Sequence, residues 1–175
     1  APLLAALLLS GCQDEKAAAP QPVPTALAPK SVLGGSLGLY LNTAAGTERA
    51  FADGGKRSLI DQGKLWEIRR KDRLIGTLEI ATVKPHVDLS DHDVRDQFTS
   101  PILVGGRSDI RVLGQEVDLV QSEGGLSTLV WFGKGLFQVL QLKDQVVTGP
   151  DLVQAIIEYQ QSRPEWTPLP ELYTP

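Results

Sequence analysis

The chain has 175 residues, 42% apolar and 22% charged, enough for one domain with a real hydrophobic core and outside the composition of disordered chains. Its formal charge of −4, with no run of Lys or Arg, excludes nucleic acid and anionic head groups as electrostatic partners. The nearest basic cluster, Arg69, Arg70, Lys71 and Arg73, is diluted by Glu67 and Asp72 and reads as a solvated hairpin edge.

From Pro2 to Leu9 the sequence is apolar throughout. As a helix this run is about 12 Å long, too short for a bilayer core of roughly 30 Å, and has the character of a signal-peptide h-region. Leu9, Ser10, Gly11 and Cys12 come next, and Cys12 is the only cysteine. This tetrapeptide resembles the lipobox of bacterial lipoproteins. The resemblance implies cleavage between Gly11 and Cys12, a diacylglycerol and then a palmitate on Cys12, and a lipid-anchored protein on the extracytoplasmic face of a cell membrane. The sequence shows neither an initiator Met nor a basic residue before the apolar run, so residues are expected to precede Ala1. With Cys12 committed to lipid, no thiol is left for a disulfide, a thiolate metal site or a cysteine nucleophile.

Residues 1–11 are thus expected to be a truncated signal peptide and 12–30 a tether. Pro20, Pro22, Pro24 and Pro29 favour extended polyproline II there. The domain is expected over 31–163, and a proline-rich tail over 164–175 runs extended across it, because Trp166, Leu169, Leu172 and Tyr173 are large apolar groups for a linker.

Within the domain, Leu37, Leu39 and Leu41 alternate as in a strand. Trp66 and Ile68 alternate with charges opposite Leu74, Leu78 and Ile80, a hairpin turning near Asp72. The stretch 43–63 is rich in Ala and Gly, with a short helix around 48–52. Further strands are expected at 109–113, 116–122, 127–132 and 136–142, joined by the turns "GQ", "EGG" and "GKG". One helix begins at Ser90 as N-cap, with Asp91 and Asp93 in its first turn and Val94 and Phe98 four apart before Pro101. A second starts near Pro150 and runs through Leu152, Val153, Ile156 and Ile157 to Arg163 and Pro164.

The run "TLVWFGKGLFQVLQL" is apolar on both alternating faces, so its two strands belong in mid-sheet with both faces covered. The expected fold is α+β, a mainly antiparallel sheet of about six to seven strands with two helices, one per face. This order of elements resembles the α/β/α sandwich of the Mog1 and PsbP group, which includes lipoproteins.

Three stretches invite a chemical reading. "HVDLSDHD" holds both histidines, His86 and His92, among Asp88, Asp91 and Asp93, and could converge on a metal; helix capping already accounts for the serine and the aspartates. "GGSLG" at 34–38 fits the letters of a nucleophile elbow at Ser36, yet the residues after it alternate like a strand, so the glycines read as a loop leading into the first strand. "GKG" at 133–135 lacks the spacing of a phosphate loop and reads as a hairpin turn. Asp109, Glu116 and Asp118 are expected along a solvated strand edge.

The sequence therefore points to a membrane-anchored, non-catalytic binding or assembly module for an envelope protein, glycan or lipid, with no cofactor and no catalytic residue. The alternatives are a carrier with one apolar face of the Trp131 hairpin lining a lipid cavity, and a hydrolase using His86 or His92.

Overall fold

The computed structural model describes residues 23–44, 59–133, 135–143 and 147–164. Cys12 with its flanking signal, the short helix around 48–52 and the tail beyond Pro164 lie outside the described residues. One antiparallel sheet of eight strands carries the domain: β1 (Ser31–Val32), β2 (Leu37–Leu41), β3 (Ile60–Arg70), β4 (Arg73–Val83), β5 (Arg107–Val112), β6 (Gln115–Gln121), β7 (Ser127–Gly133) and β8 (Leu136–Leu142). Their spatial order is β1-β2-β3-β4-β8-β7-β6-β5. The α+β class is as expected, with more strands than the six to seven anticipated. The strand not anticipated is β1, only two residues long and thus without an alternation to read; it pairs with β2 around a turn that holds Leu33, Gly34 and Gly35 at positive φ. The "GGSLG" glycines therefore join two strands instead of leading into a first one.

Two helices complete the fold, α1 (His92–Thr99) and α2 (Gly149–Gln161). The cap of α1 is Asp91, whose side chain accepts from Asp93 N–H at 2.9 Å, and Ser90 is not the cap. Ser90 instead donates its N–H and hydroxyl to Asp88, at 2.9 and 2.6 Å, closing a turn one step earlier. A cap needs extended backbone and a carboxylate or hydroxyl aimed at the next donors; Asp91 meets both conditions once Asp88 has engaged Ser90. In α2, Thr148 caps and Pro150 occupies the first turn, as its missing N–H allows.

β7 and β8 lie in mid-sheet, and their side chains divide between two apolar clusters. Leu129, Trp131, Leu136, Leu140 and Leu142 join Leu152, Val153, Ile156 and Ile157 of α2. Val130, Phe132, Phe137 and Val139 join Phe98 of α1, with Leu89 and Leu103. The expected tether extends to Lys30, but Val23, Leu27 and Ala28 lie in the first cluster, folded around a single 3-10 turn, Thr25–Leu27. Alternating prolines hide these three apolar groups from any periodicity test.

A buried amide pair fixes α2 against both. Gln160 Nε2 donates to Gln138 Oε1 at 2.7 Å and to the Leu27 carbonyl at 3.1 Å, while Gln138 Nε2 donates back to Gln160 Oε1 at 3.3 Å. Both side chains are fully buried. Gln160→Leu would leave the Gln138 amide without this partner in a dry site, where each orphaned group costs about 1–3 kcal/mol. The expected result in denaturant unfolding is a loss of about 2–4 kcal/mol, largely recovered when Gln138 is also replaced by Leu.

Gly76 marks a second constraint. A Cβ there would strike the Gln141 backbone carbonyl on β8 and stand 2.8 Å from Leu142 Cδ2, so only glycine lets the two strands approach. Gly76→Ala is expected to lower stability by about 1–3 kcal/mol in the same assay, through displaced backbone that no rotamer change relieves.

Candidate functional site

A cluster of charges joins α1 to the β5–β6 hairpin. Its apolar footing is aromatic. The Phe98 ring is 5.1 Å from Phe137 and 6.3 Å from Phe132, centroid to centroid, and Phe132 stacks on Phe137 at 5.2 Å. This footing aims the next turn of α1 at β6. The Arg95 guanidinium lies 5.9 Å from the Phe132 centroid, only 11% of its side chain is exposed, and Nη1 is 3.6 Å from Glu116 Oε2.

Beside it, Arg107 bridges two elements. It donates from Nε to Asp118 Oδ1 at 2.9 Å and from Nη1 to Asp96 Oδ1 of α1 at 3.0 Å, with Asp109 Oδ1 at 3.4 Å from Nε. The strand register explains why these groups meet. Leu113 and Gly114, at φ 51° and 77°, form a two-residue turn with the left-handed backbone such hairpins favour. That turn sets Asp109 opposite Asp118 and Arg111 opposite Glu116. Asp118 then faces inward beside Val130, and its side chain is 8% exposed, whereas Asp109 at the rim is 66% exposed. The expected solvated row holds for Asp109 and fails for Asp118.

Burial, then a hydrogen bond with the neighbouring Asp109, pushes the Asp118 carboxyl up to about 6 against the opposing pull of Arg107. For Arg107, partial burial works against the charge, but Asp96 and Asp118 outweigh it and raise the guanidinium further. On the outer side His92 Nδ1 stands 3.4 Å from Asp96 Oδ2.

The histidine-rich stretch does not assemble as a metal centre in this geometry. Asp88 is held below its usual range by its hydrogen bonds from Ser90, Asp91 caps α1, His86 is exposed in the preceding turn, and His92 faces Asp96. Among the described residues no group of three or more His, Cys, Asp or Glu side chains is placed to hold a metal ion. Ser36 sits in the β1–β2 turn, where its N–H donates to the Leu33 carbonyl at 3.3 Å.

Among the described residues, cavities also lie elsewhere. One of ≈ 450 Å³ lies between the β6–β7 turn and the start of α2, bordered by Gln121, Ser127, Thr148 and Pro150. A neighbour of ≈ 430 Å³ is lined by Leu33, Asp151, Gln154 and Glu158. A third, ≈ 240 Å³, lies on the sheet between Asn42, Glu67, Thr77, Glu79 and Lys143. Neither histidine lines any of these. The Trp131 face of the central hairpin, which a carrier would open to ligand, is filled by α2. No helix among the described residues is long and apolar enough to cross a membrane.

Sequence reasoning alone does not assemble the arginine–carboxylate cluster. The signal that could have found it is the "LG" of "RVLGQE": reading the turn there, one residue earlier than "GQ", places Asp109 against Asp118. No protein-family model matches the chain, and no curated protein or solved structure matches it either.

The cluster makes stability depend on pH. Native Asp118 keeps its proton to about 6, while an unfolded aspartate releases it near 3.8, so the native state binds the extra proton between these values. Stability from this group is greatest below that window and falls as pH rises through it. Asp118→Asn cannot titrate. The stability of the native sequence relative to this variant should therefore decline from pH 4 to pH 6.5 in urea titrations, about the window set by the two values; a rising difference would contradict the assignment.

Proposed function

We propose that this chain is a bacterial envelope lipoprotein, held to the membrane through Cys12, whose α+β domain is a non-catalytic binding or assembly module. The observation that carries this reading is the tetrapeptide Leu9-Ser10-Gly11-Cys12 directly behind an apolar run of signal-peptide length. A diacylglyceryl group brings two acyl chains at once, and each buried CH₂ contributes about 0.8 kcal/mol, so stable anchoring follows without a polybasic patch. The acidic balance of the chain is consistent with that mode.

The chemistry of the domain supports a binding module over a hydrolase. His92 stands against Asp96, Asp96 and Asp118 are engaged by Arg107, and His86 lies exposed in a turn, where no cavity described above brings a histidine to a substrate. The filled Trp131 face favours a module that works through its surface over a carrier that works through a cavity. In this reading α1 and α2 cover opposite faces of the sheet, which accounts for the separate clusters built on Phe98 and on Ile156.

In a bacterial host, Cys12→Ala is expected to abolish lipid labelling and leave the unprocessed precursor, and globomycin should produce the same precursor from the native sequence. Membrane retention and migration unchanged by both treatments would overturn the anchor. The part of the reading that concerns catalysis is tested separately: replacing His86 and His92 together by Ala should leave function in the envelope intact.

A further inference from the structure

With eight residues, α1 is too short to keep its shape without the surface beneath it. Val94 and Phe98 reach the apolar cluster there, Arg95 lies over Phe132, and Asp96 accepts from Arg107 of β5. Docking in this way carries a cost at each polar contact. Nearly all of the Arg95 side chain is out of water, yet two of its buried donors, Nε and Nη2, meet no acceptor among the described residues. Asp118 is buried at the other end of the Arg107 bridge, beside a second aspartate.

The charges around Asp118 decide how these costs change with protonation. From β5 come Arg107, 2.8 Å away, and Asp109, directly opposite in the register. From α1 comes Asp96, held by the same guanidinium, with His92 on its outer side and Arg95 directed to Glu116. On β6 itself Glu116 faces Arg111, and β7 sets Val130 against Asp118 and brings no ionisable side chain. While Asp118 holds a proton, Arg107 serves two carboxylates, and the neutral carboxyl shares a hydrogen bond with Asp109. Once it ionises, three carboxylates share one guanidinium in a site largely closed to water. Lifting α1 relieves that crowding: it takes Asp96 away, admits water to Asp118 and releases the Arg95 donors to solvent. The opposing term is the burial of Val94 and Phe98, which does not depend on pH. Leu89 and Leu103, buried just outside either end of the helix, confine the movement to α1 and its immediate flanks.

We propose that α1 is a proton-linked latch, docked on the sheet while Asp118 is protonated and released more often once that carboxyl ionises, with β6, β7 and β8 staying folded beneath it. The proposal stands on the orphaned Arg95 donors and on the carboxylates gathered around Arg107, independently of the anchor at Cys12.

Amide hydrogen exchange on the full chain, corrected for the intrinsic pH dependence of each amide, tests it. Docked Asp118 keeps its proton to about 6, and a hydrated aspartate releases it near 3.8. Docking is therefore strongest below that window and weakens as pH rises through it. The amides from Arg95, which donates to the Asp91 carbonyl, to Ser100, which donates to that of Asp96, report on the helix. Their protection should fall by about 100-fold between about pH 4 and about pH 7.5. At every pH it should lie below that of Trp131 and Leu140 at mid-sheet, because the opening is local. In Asp118→Asn the protection of α1 should no longer change with pH. Asp109→Asn, at an exposed position, removes a group that raises Asp118 and should shift the fall to lower pH, so the test remains decisive if Asp118→Asn does not fold. Helix amides that exchange only as fast as Trp131 and Leu140 overturn the proposal. So do protection that stays level or rises with pH in the native sequence, an equal fall in Asp118→Asn, and a fall that Asp109→Asn leaves in place.

Discussion

A hairpin with no polar face sets the terms for this fold. In β7 and β8, Leu129, Trp131, Leu140 and Leu142 point one way and Val130, Phe132, Phe137 and Val139 the other, and nearly all of this surface is removed from water. An edge position would expose one set, so the pair must have neighbours on both sides and cover above and below. β4 pairs with β8 and β6 with β7, and the remaining strands extend the sheet outward from there. Polar groups enter this centre only where they satisfy one another. Gln138, the exception in the apolar run, is matched by Gln160 of α2, and the match fixes the depth and angle at which that helix lies on the sheet.

The other helix is held by a different balance. α1 has eight residues, too few to be stable alone, and places one fully buried aromatic group, Phe98, among Phe132 and Phe137. One ring supplies affinity but little orientation. Orientation comes from the arginines, Arg95 over Phe132 toward Glu116, and Arg107 between Asp96 and Asp118. The raised pKa of Asp118 shows that this arrangement is not optimised for stability: burial together with the neighbouring Asp109 disfavours the carboxylate by more than Arg107 recovers. Geometry rather than strength is what such a bridge supplies, since guanidinium donors are directional where an aromatic contact tolerates sliding.

Periodicity makes the centre of this structure legible, and register hides its margin. Two-sided apolarity places β7 and β8, alternation finds β2, β3 and β4, and the proline at position 150 locates α2. The aspartate pair escapes because a single-residue difference in the turn, "LG" against "GQ", exchanges the partners across the hairpin: Asp109 would face Val120 in one reading and faces Asp118 in the other. Local competition explains the cap of α1. Ser90 and Asp91 are both good caps by type, and only the capture of Ser90 by Asp88 decides between them. Val23, Leu27 and Ala28 escape for a third reason: their burial depends on contacts with α2 more than a hundred residues away, as the Gln160 to Leu27 bond shows, and no local pattern carries that information.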